Sequence, residues 1–208
     1  MFDGYLRDAV EKVVDPIGAG MQKVGISADV LTVSGIAVAA AGAAVVGSGR
    51  LLLGFVFLVL SGLPDLLDGA VAKAAGTTSL RGAFFDSVSD RVSDVFVFSG
   101  IAWYLMDTRP ESKIAMLPIA ILGAALLISY QRAKAESLGF DAKGGLMERA
   151  ERFIATGVAL VLGSFVDSLF VPLLWAILAL TIITALQRFA KVWKQATEVM
   201  PADTRAGA

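Results

Sequence analysis

Asp65, Asp68, Asp86 and Asp90 are the residues of this chain best placed to do chemistry. The first two are spaced i, i+3 and the second two i, i+4, so each pair falls on one face of its helix. Both pairs lie in otherwise apolar sequence, where an unneutralised carboxylate is costly to bury. Drawn together, the four would repel one another and take up protons unless divalent cations were present. Mg²⁺ and Mn²⁺ favour carboxylate oxygen, and Mg²⁺ also takes substrate phosphates. Four acids suffice for two such ions, and a two-metal site suits phosphoryl transfer. Taken singly, either pair also reads as a helix end or a solvated face. Both pairs together, inside apolar helices, favour the site.

The neighbouring residues fit that chemistry. Gly69 and Gly82 remove side chains where a substrate would approach the backbone. Lys73 offers a cation to a diphosphate, and Thr77, Thr78 and Ser79 offer hydroxyls. The connecting segment AAGTTSLRG is short, so the two acidic helices are expected to be antiparallel neighbours with both pairs at one depth.

These helices must be positioned by a membrane scaffold. Of the 208 residues 56% are hydrophobic, and the mean hydropathy of +0.73 lies well above that of soluble domains. Cysteine and histidine are absent, which excludes thiolate and imidazole catalysis, Cys/His zinc sites and disulfides. The net charge of −1 is uninformative, and no nucleic-acid partner is expected. No leader peptide is expected either, because the first 25 residues are charged throughout.

Six apolar segments, at about 29–48, 51–74, 82–106, 113–137, 147–167 and 169–194, are each near the roughly 20 residues that cross a bilayer. The expected fold is therefore all-α, with six transmembrane helices in one domain over 26–196. Residues 1–25 have helical periodicity and mixed charge. They suit an amphipathic helix that lies on the membrane surface or packs on the protein's own cytoplasmic side. Residues 197–208 read as a disordered tail. Fifteen of the 18 lysines and arginines fall on the side of the termini, leaving Arg50, Arg109 and Lys113 on the other. Both termini and the four acids are accordingly expected at the cytoplasmic face of the plasma membrane.

A basic cluster shares that face. Arg132 and Lys134 end the fourth segment, Arg149 and Arg152 open the fifth, and Arg188 is near the end of the sixth. Positive-inside topology accounts for Lys191 and Lys194. The five others suggest an anionic acceptor, most simply a phosphorylated alcohol.

The pattern D-x2-D-G-x2-A-[R/K]-x8-G-x3-D-x3-D is satisfied by Asp65, Asp68, Gly69, Ala72, Lys73, Gly82, Asp86 and Asp90. It resembles the signature of the CDP-alcohol phosphotransferases, membrane enzymes that make phospholipid headgroups. The resemblance implies that the four aspartates bind two Mg²⁺ or Mn²⁺ ions and that Asp90 takes the proton of the attacking alcohol. At Lys73 the family's usual arginine is replaced, which keeps the charge but not the bidentate fork.

The segment SADVLT resembles the family's P-[ND]-x-x-T element, with Ala28 in place of the proline. It implies that Asp29, Val30, Leu31 and Thr32, together with Gly69, Lys73 and Ser79, bind CDP-diacylglycerol. Asp29 also suits a plain N-cap. The runs SYxxAxAES and GGxxERxER and the late QR pair resemble actinobacterial phosphatidylinositol phosphate synthases. That likeness implies a homodimer with inositol phosphate as acceptor, held by Ser129, Arg132, Lys134, Arg149, Arg152 and Arg188. Glycerol 3-phosphate is the rival acceptor. A divalent cation transporter, with acids lining an ion path, is the rival of another class.

Overall fold

The structure, a computed structural model, describes residues 14–77 and 79–199. Among them are helices and no strand. Most of the segment expected as an amphipathic helix lies outside the described residues, as do Thr78 and the tail from residue 200. Residues 14–23 are helical, and we call them α1. The chain then forms α2 (Ala28–Gly47), α3 (Leu51–Ala75), α4 (Leu80–Thr108), α5 (Met116–Ser137), α6 (Arg149–Phe165) and α7 (Asp167–Val199). A 3-10 turn over Lys113–Ala115 precedes α5. Contacts divide the chain into two compact units, Met1–Thr108 and Arg109–Ala208.

In the first unit α2 packs along both α3 and α4, which hardly touch each other. The expectation that the two acidic helices are direct neighbours is therefore corrected. The reason lies in α2, ADVLTVSGIAVAAAGAAVVG, whose small residues let two helices approach it at once. A methyl carbon on Gly42 would stand 2.8 Å from Phe57 Cβ of α3, and one on Gly100 of α4 would stand 2.6 Å from Ala43 Cα. Phe98, Ile101 and Leu105 of α4 and Val71 of α3 are fully buried in this unit.

In the second unit α7 takes the central place and packs on α5 and α6. Leu160, Phe170 and Leu174 are buried there. Arg109, in the loop before α5, donates to Asp167 in the first turn of α7 at 2.8 Å. The loop between α5 and α6 is tied to α7 by the Met147 amide, which donates to Thr184 Oγ1 at 2.8 Å.

Among the described residues four helical runs are long and apolar enough to cross a membrane: Ala28–Gly47, Leu51–Ala75, Lys113–Ser137 and Asp167–Val199. The third and fifth expected spans fall outside this set. α4 has length enough but carries Asp86, Asp90, Arg91 and Asp94. α6 has 17 residues, a rise of about 26 Å against a hydrocarbon core of roughly 30 Å.

Candidate active site

The site in the first unit is built at helix ends. Ser27 is the N-cap of α2: its backbone is extended and its Oγ accepts from the Val30 amide at 3.3 Å. The capping role allowed for Asp29 thus belongs to Ser27. This leaves the Asp29 carboxylate in the first turn, where it accepts from Arg81 Nη2 at 2.6 Å. Further along, the Thr32 hydroxyl donates to Asp68 Oδ2 of α3 at 2.7 Å, and both residues are buried.

The reversal between α3 and α4 comes from Gly76, whose φ of 66° is left-handed and which lets the Thr77 amide donate back to Ala72 O at 2.9 Å. Ser79 then caps α4. Its Oγ accepts from the Gly82 amide at 3.1 Å, and its carbonyl accepts from the Ala83 amide at 3.0 Å.

These ends enclose a cavity of about 420 Å³, with Asp29, Thr32, Asp68, Gly69, Ser79 and Asp86 in its wall. A methyl carbon added at Gly69 would meet nothing within 4 Å, so the backbone there is open to an approaching group. Of the residues expected to bind CDP-diacylglycerol, Asp29, Thr32, Gly69 and Ser79 line this cavity. Val30, Leu31 and Lys73 do not. Leu31 is buried in the packing and Val30 is exposed elsewhere. Lys73 is held by α1, where its Nζ donates to Asp15 Oδ2 at 2.7 Å.

The carboxylates divide similarly. Asp68 and Asp86 face the cavity, whereas Asp65 and Asp90 are not in its wall. Among the described residues no three acids gather closely enough to hold an ion. Asp68 of α3 and Asp86 of α4 do share one wall, although their helices hardly touch. The donor chemistry nonetheless fits a hard divalent cation. Asp68 is 7% exposed, receives the Thr32 hydroxyl, and has no lysine or arginine paired with it among the described residues. Such a buried carboxylate calls for a counter-charge, and oxygen donors of this kind suit Mg²⁺ or Mn²⁺. Asp90 accepts from Arg91 at 3.3 Å.

The residues expected to hold the acceptor lie in the second unit and are mostly engaged there. Arg188 is 4% exposed; it donates to Glu148 Oε1 at 2.7 Å and to the carbonyls of Ile128 and Gly144. Arg152 is equally buried, on α6. Arg132 pairs with Glu136 at 2.9 Å on α5. Ser129 donates to Ala125 O at 3.2 Å, Lys134 is exposed in the last turn of α5, and Arg149 opens α6 half-buried.

Two participants escaped the sequence reading. Arg81, which lines the cavity, is one of the fifteen basic residues that the sequence alone accounts for by topology. Its position two residues past a capping serine was the available signal. Glu148, the partner of Arg188, stands 40 positions from it, and no spacing rule links them.

A profile of the CDP-alcohol phosphatidyltransferase family matches residues 26–187. The phosphatidylinositol phosphate synthase of Mycobacterium tuberculosis is 32% identical over 195 residues, covering 90% of this chain and 88% of its own. The archaetidylinositol phosphate synthase of Methanothermobacter thermautotrophicus is 34% identical over 190 residues, covering 91% and 93%. Crystal structures of the M. tuberculosis enzyme superpose on the chain. The one with CDP-DAG bound has a TM-score of 0.82 at 30% identity, covering 88% of this chain and 94% of that one. The one in complex with manganese and citrate has a TM-score of 0.81 at 31% identity, covering 86% and 88%. With the aspartate signature intact and the match running through nearly the whole described chain, this protein belongs to the CDP-alcohol phosphatidyltransferase family, a family of metal-dependent enzymes.

Proposed function

We propose that the protein transfers the phosphatidyl group of CDP-diacylglycerol to inositol phosphate, giving phosphatidylinositol phosphate and CMP. The observation that carries this reading is the cavity joining the Thr32–Asp68 hydrogen bond to Gly69, Ser79 and Asp86, in a chain similar to an enzyme whose structure holds CDP-DAG. Inositol phosphate is favoured over glycerol 3-phosphate because bacterial and archaeal relatives differ in their lipid part but share an inositol phosphate product in their names.

In this reading Asp29, Thr32, Gly69 and Ser79 receive the CDP group, with Val30 and Leu31 shaping α2 behind them. Thr32 holds the Asp68 carboxylate in one orientation by its 2.7 Å hydrogen bond. Asp65, Asp68, Asp86 and Asp90 would hold two divalent ions, Mg²⁺ or Mn²⁺, which neutralise the diphosphate and the charge gathering on departing CMP. Asp90 accepts the proton of the acceptor hydroxyl as its oxygen bonds to the β-phosphorus and the bond from that phosphorus to the CMP oxygen breaks. Ser129, Arg132, Lys134, Arg149, Arg152 and Arg188 supply hydrogen-bond donors to the acceptor phosphate, the guanidinium groups by their planar forks.

The same reading makes α4 and α6 membrane spans alongside the four apolar runs. It places both termini and the active site at the cytoplasmic face of the plasma membrane, and the chain in a homodimer. The test is CMP release from CDP-diacylglycerol by the purified protein with Mg²⁺ or Mn²⁺, comparing inositol phosphate with glycerol 3-phosphate. Faster turnover with inositol phosphate is expected. Preference for glycerol 3-phosphate would reassign the acceptor. Metal flux through vesicles without CMP release would replace the enzyme reading with a transporter.

A further inference from the structure

We propose that Arg81 binds the diphosphate of the CDP-linked donor, a role resting on the donor reading above. Arg81 is the cation in the cavity wall, which also carries Ser27, Thr77, Gly69 and Gly82. Its Nη2 donates to Asp29 at 2.6 Å, its one hydrogen bond among the described residues. A guanidinium has five N–H donors in a rigid plane, so Asp29 orients the fork while its other edges stay available to phosphate oxygens. The side chains of Arg81 and Asp29 are 78% and 41% exposed, and so open a pair adds little to stability. What the pair does is aim a cation at the cavity.

The surroundings suit an anion of diphosphate size. Arg81 sits in the first turn of the 29-residue helix α4, whose dipole favours negative charge at that end. Ser79 already satisfies the Gly82 amide. A methyl carbon at Gly82 would have only Ser79 Oγ nearby, at 3.5 Å, so an anion meets little obstruction there. Lys73 is placed differently. It lies outside the cavity wall, its ammonium held at 2.7 Å by Asp15 of α1. The diphosphate-binding charge has thus moved from Lys73, at the end of α3, to Arg81, at the start of α4.

The test compares Arg81→Ala, Arg81→Lys and Lys73→Ala in the full chain in detergent with Mg²⁺, by titration with CDP and by steady-state kinetics. Arg81→Ala should raise both the Kd for CDP and the KM for CDP-diacylglycerol about tenfold, the loss of a charge-assisted hydrogen bond. The acceptor KM should stay unchanged, Arg81→Lys should recover part of the loss, and Lys73→Ala should shift CDP affinity less. Unaltered CDP affinity in Arg81→Ala, equal shifts in both substrates, or a larger effect at Lys73 would overturn the assignment. If the unsubstituted protein bound CDP but released no CMP, the proposed function would fail while the CDP titrations still decided the role of Arg81.

Discussion

Asp68 and Arg188 are both almost fully buried charges, 7% and 4% exposed, yet their surroundings differ in kind. Asp68 faces a cavity with the Thr32 hydroxyl as donor and no opposite charge from the protein among the described residues. Arg188 is enclosed by Glu148 and two backbone carbonyls, and the Glu148 side chain remains 40% exposed. A carboxylate left uncompensated beside open space is prepared for an external cation, whereas an arginine with its own glutamate is first a tie between α7 and the segment before α6. In the first unit the charge is a demand for a ligand. In the second it is largely met within the fold, and an acceptor phosphate would have to share or displace Glu148.

The strongest test of this contrast removes charge from the first unit. Asp90→Asn should lower kcat by about 10²- to 10⁴-fold, the usual contribution of a positioned base. Asp68→Asn should also suppress metal-dependent CMP release while leaving the melting temperature in detergent unchanged or raised, since a buried charge is removed. Substantial residual turnover in Asp90→Asn would remove it as the base. A collapse in the melting temperature of Asp68→Asn would show the carboxylate to be structural and erase the contrast.

A smaller loss is expected one bond away. Thr32→Val keeps the shape but deletes the donor to Asp68, at a cost of about 1.5–3 kcal/mol for a hydrogen bond to a charged group. The loss should appear as weaker Mn²⁺ activation, read from the metal concentration giving half-maximal rate. An unchanged metal dependence would mean that Thr32 does not orient Asp68.

In the second unit the order of effects should reverse, with stability responding before chemistry. Glu148→Ala leaves Arg188 buried without its counter-charge and should cost about 1–3 kcal/mol, less than for a fully buried pair because Glu148 is partly solvated. Thermal unfolding in detergent measures it. A stable Glu148→Ala protein with a lower KM for the acceptor would mean that Glu148 masks Arg188 rather than anchors it.

The same contrast explains what could be read from the residues alone. Asp65 to Asp90 lie in one stretch of 26 positions, so their spacing is visible in a linear chain, and charge inside apolar sequence is a local signal. Asp29 suits the cap of α2 as well as Ser27 does, because both residue types cap helices and only the backbone dihedrals separate them. The arrangement of α3 and α4 is hidden from the sequence for a different reason. A short connection suggests adjacency, but the small residues of α2 let it pack on both helices, and that outcome depends on packing rather than on the loop. Pairs such as Lys73 with Asp15, Arg81 with Asp29 and Arg188 with Glu148 join positions 40 to 58 residues apart. No periodicity reports them.

The mildest effect is expected at the loop between α5 and α6, where Asp141 accepts from Lys191 Nζ of α7 at 2.7 Å and from the Lys143 amide at 2.9 Å. The Lys191 hydrogen bond, followed by the Lys143 amide, holds the Asp141 carboxyl below its usual 3.8. A carboxylate whose pKa is depressed on folding adds stability above the unfolded value and loses it as pH falls through the folded value. The contribution is therefore complete at neutral pH and fades below about 3.8. Because the group is solvated, Asp141→Asn should lower the melting temperature only slightly at pH 7, and the gap from the unsubstituted protein should narrow as the buffer is acidified below about 3.8. A gap of constant size across that range would assign the tether to the loop backbone and to Gln195, whose Oε1 accepts from the Asp141 amide at 3.0 Å, rather than to the charge.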